Sequence, residues 1–228
     1  MTSDIDAYKQ MTGSAAADLI EDGMAIGIGT GTTAAFLIQA LATRLKNGLT
    51  IRGAVPTSEA TARLASSLGI PLISLNDYPV LDLAIDGADE IDPQLNLIKG
   101  AGGALLREKI VATAARQFVV ISHSAKLVSR LGTQAALPVE VTPFALTPVR
   151  RHLEQLDATV QLRMRAEQVF VTDNQNYILD CRFPTGIADP FALREQLRAI
   201  VGIVTSGLFL GMTQRVLIAG PQGLICLP

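Results

Sequence analysis

The stretch "LDLAIDGADEIDPQLNLIKGAGGALLREKIVATAARQFVVIS" (81–122) decides how this chain is read. It opens on a short apolar run, "LDLAID" (81–86), and closes on another, "FVVIS" (118–122). Between them, "ALLREKIVATAARQ" (104–117) has the length and apolar spacing of a helix. Strand, helix and strand in this order point to a parallel sheet covered on both faces. Two features go beyond what a purely structural unit needs. Four carboxylates, Asp86, Asp89, Glu90 and Asp92, follow the first strand at once. A glycine-rich turn, "KGAGG" (99–103), then leads into the helix.

Upstream, the same alternation continues. "MAIGI" (24–28), "IRGAV" (51–55) and "PLISL" (71–75) read as strands. Helices are expected at Ala15 to Ile20, at "TTAAFLIQALATRLK" (32–46) up to Asn47-Gly48, and at "SEATARLASSLG" (58–69). In the last, Thr57 or Ser58 is the N-cap and Gly69 the end. The fold class is therefore α/β. Downstream of about Leu131 the pattern changes. "PVEV" (138–141), "TPVRRHLEQL" (147–156), "TVQLRMR" (159–165), "VFVTDNQNYILDCRF" (169–183), "DPFALREQLRAI" (189–200) and "GIVTSGLF" (202–209) give the order βαββαβ. That is the ferredoxin-like α+β motif. The apolar "RVLIAG" (215–220) is suited to returning to the first sheet. The expected domains are residues 1–131 plus about 208–228, carrying catalysis, and a smaller α+β domain of about 132–207.

Composition narrows the function classes. With 228 residues and 49% hydrophobic content the chain can bury a large core. A net charge of −2, both signs dispersed, and no Trp argue against a nucleic-acid surface. No apolar run has the length of a membrane span. The polar opening "MTSDIDAYKQ" lacks an export signal, so a cytoplasmic protein is expected, with Cys181 and Cys226 as thiols.

Four stretches have chemical potential. "GIGTGTTAAF" (27–36) is a glycine-rich turn from strand into helix, where backbone N–H groups and the Thr30, Thr32 and Thr33 hydroxyls suit a phosphate. It lacks the third glycine of a dinucleotide fingerprint and the Gly-Lys-Ser/Thr of a P-loop; a tight turn capped by threonine would read the same way. Asp86 and Asp89 fall beyond the carboxyl end of a strand, where open α/β sheets bind ligands. Facing acids split their pKa values and can shuttle protons, though an Asx-turn or surface acid patch needs the same residues. With only His123 and His152, neither at ligand spacing, no metal site is expected, although carboxylates alone can hold Mg²⁺. In "KGAGGALLREK" (99–109), turn amides beside Lys99 suit an oxyanion, and Glu108 one helical turn on suits a general base. A surface glutamate paired with Arg107 or Lys109 is the plainer reading. "SHSAKL" (122–127) offers Lys126 as a phosphate contact.

Taken in order, "GIGTGTTAAF", "PTSEAT" (56–61), "LAIDGADEID", "IKGAGGALLREKI", "SHSAKLV" and "PVEV" resemble ribose-5-phosphate isomerase, type A, over nearly the whole chain. The resemblance implies a Rossmann-like parallel sheet domain with a smaller ferredoxin-like α+β domain. It implies interconversion of ribose 5-phosphate and ribulose 5-phosphate, no metal or other cofactor, and a homodimer or homotetramer. The site it implies has Glu108 as proton acceptor, with Asp86, Asp89 and Lys99 also catalytic. Its substrate loops are Thr30, Gly31, Thr32 and Thr33; Asp86, Gly87, Ala88 and Asp89; and Lys99, Gly100, Ala101 and Gly102. Lys126 and Lys9 are added as substrate contacts. Two departures stand out: Ala101 where glycine is usual, and "SHSAK" in place of a "DESK"-like stretch, which introduces His123. Two other classes stay open, a related-fold CoA transferase or amino-sugar-phosphate deaminase and a non-catalytic phosphosugar sensor.

Overall fold

The computed structural model describes residues 2–228. Along the chain the elements are α1 (Thr2–Ala17), β1 (Ala25–Ile28), α2 (Thr32–Lys46), β2 (Gly53–Pro56), α3 (Glu59–Ser67) and β3 (Leu83–Asp86). Then come β4 (Glu90–Ile91), β5 (Leu97–Ile98), α4 (Leu105–Ala114), β6 (Phe118–His123), β7 (Leu137–Val141), α5 (Leu146–Glu154) and β8 (Thr159–Leu162). The chain finishes with β9 (Met164–Arg165), β10 (Gln168–Val169), β11 (Tyr177–Arg182), α6 (Pro190–Ala199), β12 (Ile203–Ser206), β13 (Leu208–Phe209), β14 (Arg215–Gly220) and β15 (Gly223–Leu227).

These elements fall into two compact units. The first comprises the residues up to Ala88, Arg107–Lys126 and Met212–Pro228. Its sheet has the order β15-β14-β6-β3-β1-β2, parallel except for the antiparallel edge strand β15. Every residue of β1 and β3 is buried because both faces are covered, which is why these strands lack polar alternation. On one face Ile26, Ile28, Leu83, Ile85, Val119, Ile121 and Leu217 pack with Ala16 and Ala17 of α1 and Leu37, Ile38 and Leu41 of α2. "RVLIAG" does return here, as β14 beside β6.

The second unit comprises Asp89–Leu106 and Leu127–Gly211. Its antiparallel sheet has the order β12-β7-β11-β8, with α5 after the first of these strands in the chain and α6 before the last. This is the ferredoxin-like order expected from βαββαβ. Val139, Val141, Leu179 and Cys181 of the sheet pack with Val149 and Leu153 of α5 and Leu193 and Leu197 of α6. Asp189 caps α6 by accepting from the N–H groups of Phe191 and Ala192, both at 3.0 Å, and Pro190 takes the first helical position. A three-stranded sheet, β13-β5-β4, completes the unit together with a β9-β10 hairpin.

Three local readings change. The first helix is not confined to Ala15–Ile20 but starts at Thr2. It meets α2 through small residues; a Cβ at Gly13 would lie 2.7 Å from the Leu37 nitrogen, so apolar spacing underreports the contact. "PLISL" is not a strand of the sheet and touches β2 at a single bridge, Ala54 to Leu72. "GLICL" (223–227), unassigned from sequence, forms the edge strand β15.

Candidate active site

In the first unit the carboxyl ends of β1, β3 and β6 lie side by side, because these strands are neighbours and parallel. β1 runs into the Thr30–Thr33 turn and α2. Gly31, at the N-cap, has φ 110° and no side chain to offer the first-turn amides. Those amides, with the exposed Thr32 and half-buried Thr33 beside them, make a helix start whose chemistry suits an anion. Thr30 behaves differently. Its hydroxyl is 2.7 Å from the Thr57 hydroxyl, 2.9 Å from Ser58 and 3.2 Å from Thr61. Thr61 in turn donates to the Gly29 carbonyl at 2.9 Å. Thr30 therefore fastens the turn to the start of α3 through its side chain. Thr57, Ser58 and Thr61 are supports that sequence reasoning named only as a possible helix cap and as part of "PTSEAT".

β3 ends at Asp86, 3% exposed. Its Oδ1 accepts from the Thr30 N–H at 3.0 Å and the Gly87 N–H at 2.7 Å. Asp86 and the turn after β1 thus hold each other in place. The approach requires glycine at position 29, since a Cβ there would sit 1.9 Å from Asp86 Oδ1. Glu108, in the first turn of α4, is 4% exposed. Burial sets aside the reading of Glu108 as a surface residue.

β6 ends at His123, followed by Lys126 in a short 3-10 turn. Lys9 of α1 is mostly buried, with its Nζ 3.1 Å from Asp6. Lys9 and Lys126 each act on His123 electrostatically. Burial first, then the positive charges of Lys126 and Lys9, push the His123 pKa below its ordinary value.

In the second unit the acid cluster divides by role. Glu90, fully buried, accepts from the N–H groups of Gly132 (2.5 Å), Gln134 (2.5 Å) and Ala135 (2.6 Å). Asp92 accepts from the N–H groups of Gln94 and Asn96 and from the Asn96 amide. These two acids organise loops. Asp89 instead accepts from the Ala101 N–H at 2.8 Å, which ties it to the glycine-rich turn.

That turn is built with care. Gly100 and Gly103 have φ of 105° and 83°, and Gly103 donates to the Gly100 carbonyl at 2.9 Å. Ala101 is not among the residues with positive φ, so its departure from glycine costs the turn nothing. Phe170 seals Gly103, where a Cβ would lie 2.3 Å from the ring. Arg163 donates to the carbonyls of Gly100 (2.8 Å) and Ala101 (3.1 Å) while Asp180 grips its other edge. Sequence reasoning missed Arg163, Phe170 and Asp180, which carry no motif and come from the β-rich segment after α5. Lys99 is 2% exposed, with its Nζ 5.5 Å from the centre of the Phe209 ring.

Comparison with known proteins bears on the chain as a whole. The sequence matches the family model for ribose 5-phosphate isomerase A (phosphoriboisomerase A) over residues 53–223. It is 53% identical over 224 residues to ribose-5-phosphate isomerase A of Roseiflexus sp. (strain RS-1), covering 97% of this chain and 96% of that one. To the Bacillus mycoides (strain KBAB4) protein of that name it is 47% identical over 216 residues, covering 95% and 97%. Among solved structures, ribose 5-phosphate isomerase from Plasmodium falciparum superposes with a TM-score of 0.94 at 36% identity, covering 97% and 98%. A D-ribose-5-phosphate isomerase in complex with phospho-erythronic acid gives 0.94 at 38% identity, covering 98% of each chain. With this identity over almost its whole length, the chain belongs to the ribose 5-phosphate isomerase A family.

Proposed function

We propose that the chain interconverts D-ribose 5-phosphate and D-ribulose 5-phosphate through an enediolate, using its own side chains and backbone amides. The observation that carries this reading is Glu108, a carboxylate buried in the first turn of a helix that begins at a glycine-rich turn. In the open-chain aldose, Glu108 takes the proton from C2. The electron pair moves through C1 and leaves negative charge on O1. Lys99 and the amides of 100–103 stabilise that oxygen, where such donors have their largest effect. Asp86 or Asp89 assists ring opening and moves the proton between O2 and O1. Glu108 then returns its proton to C1, giving the ketose. The Thr30–Thr33 turn, with Lys9 and Lys126, holds the phosphate, and that remote binding positions C1 and C2 for proton transfer.

This reading makes the protein a cytoplasmic enzyme of the non-oxidative pentose phosphate branch that works as a homodimer or homotetramer, which light scattering would test. The direct test of function is formation of ribulose 5-phosphate from ribose 5-phosphate by the purified protein. Inactivity towards this pair, with release of ammonia from an amino-sugar phosphate or acyl exchange with CoA, would replace it with the corresponding rival chemistry.

A further inference from the structure

His123 stands at the end of an apolar stripe. Val119 and Ile121 of β6 lie in the core packed with α1 and α2. Side chains alternate along a strand, so the next residue on that face is His123. It is 9% exposed and directed to the side that α1 covers. α1 contributes Lys9, whose Nζ also meets Asp6, and the turn after β6 contributes Lys126. The other elements packed on β6 add little charge here. β14 has Ala219 in register with His123, followed by Gly220. β3 has Asp86 level with Val120, three residues before His123. α2 carries its only charged residues, Arg44 and Lys46, in its last turn, away from this end.

A buried imidazole that feels the charges of two ammonium groups favours its neutral form in the free protein, because burial and both charges disfavour the cation. A phosphate dianion at Lys9 and Lys126 would offset the two positive charges that disfavour the cation. Taking the assignment of Lys9, Lys126 and the 30–33 turn to the substrate phosphate as its basis, we propose that His123 is a third phosphate-recognition residue, which takes up a proton from solvent as the phosphosugar binds. The imidazole gains the proton and no bond to phosphorus changes.

The sign follows from linkage. If the imidazole pKa is higher in the bound than in the free protein, its contribution to affinity is full below the free value. That contribution disappears as pH rises through the bound value. Ionisation of the phosphate itself, near pH ~6, acts in the opposite sense, so the two must be separated.

The histidine Cε1–H resonances of the wild-type protein do this, since only His123 and His152 are present and His152 is exposed on α5. Assignment follows from the resonance lost in His152→Asn. Titrated free, His123 should change state below about pH 6.5. Saturated with phospho-erythronic acid it should titrate at a higher pH. A His123 midpoint that does not move, or that falls, overturns the proposal. Calorimetry in two buffers of different protonation enthalpy gives a second reading: the wild type should take up more protons on binding than His123→Asn. The wild-type-to-variant affinity ratio should grow as pH falls, by up to about tenfold per unit of pKa separation. Lys126→Ala tests the underlying assignment. If it leaves phospho-erythronic acid affinity unchanged, the phosphate reading fails. If it weakens binding while the His123 midpoint stays fixed, the proton-uptake inference fails alone.

Discussion

Glu108 and Glu90 are both buried glutamates, and their surroundings separate their roles. Glu90 spends its oxygens on three loop amides, an arrangement that holds residues 132–135 and leaves little capacity for a substrate. Glu90→Gln should therefore lower stability by about 1–3 kcal/mol, the scale of hydrogen bonds to a charged acceptor, with kcat per folded molecule nearly intact. Denaturant melts with activity measured on the folded fraction check this; an inactive but fully stable variant would contradict it. Glu108→Gln should do the reverse. It keeps the shape, removes the basicity, and should lower kcat by about 10²–10⁴. It should also stop exchange of the substrate's C2 hydrogen with solvent deuterium; exchange at the wild-type rate, followed by NMR, would move the role to Asp86 or Asp89. At the phosphate end, Thr33→Ala should raise KM with little change in kcat, since it removes binding shared by ground and transition states. Collapse of kcat at constant KM would remove the 30–33 turn from phosphate recognition.

At the scale of elements, the glycine-rich turn before α4 owes its shape to a β-rich segment far away in sequence. Its own residues announce flexibility: Gly100, Gly102 and Gly103 permit many backbone states, and local sequence alone does not select one. Selection comes from Arg163, which binds two turn carbonyls, and from Phe170 against Gly103. The same holds for the first turn, where Thr30 is anchored by Thr57, Ser58 and Thr61. Candidate reacting groups were legible in the sequence because chemistry demands particular residue types at strand ends. Their supports were not, because an arginine on a β-rich segment has no spacing that marks its partner. Holding the turn amides in one orientation is part of stabilising an oxyanion, and misplacement by about 1 Å can cost on the order of 10²-fold. Arg163→Ala should thus reduce kcat by about tenfold to a hundredfold, with KM changed much less. Restoration by free guanidinium would support a positioning role. A purely stability-based loss, with normal kcat in the folded fraction, would remove Arg163 from the catalytic account.

For the whole molecule, the α/β alternation and the βαββαβ order were readable because each buried strand and each capped helix carries its own period. α1 and β15 escaped for opposite reasons: α1 packs through Gly13, Ala16 and Ala17, which register weakly as apolar, and β15 is an edge strand with exposed apolar side chains. The two cysteines fall on either side of this contrast. Cys181 lies in the core of the second unit, and burial, with Asp180 adding to it, pushes its thiol up to about 12. Cys226 is exposed on β15. Since the thiolate is the reactive form, a raised pKa and lack of access act together on Cys181. At pH 8 in native buffer one thiol should label quickly with a disulfide reagent, and Cys226→Ser should abolish that phase. Cys181 should react only as the second unit opens, at a rate that rises with denaturant. Fast labelling of both thiols in native buffer would mean that this core opens far more readily than its packing of Val139, Val141, Leu179 and Leu193 around Cys181 implies.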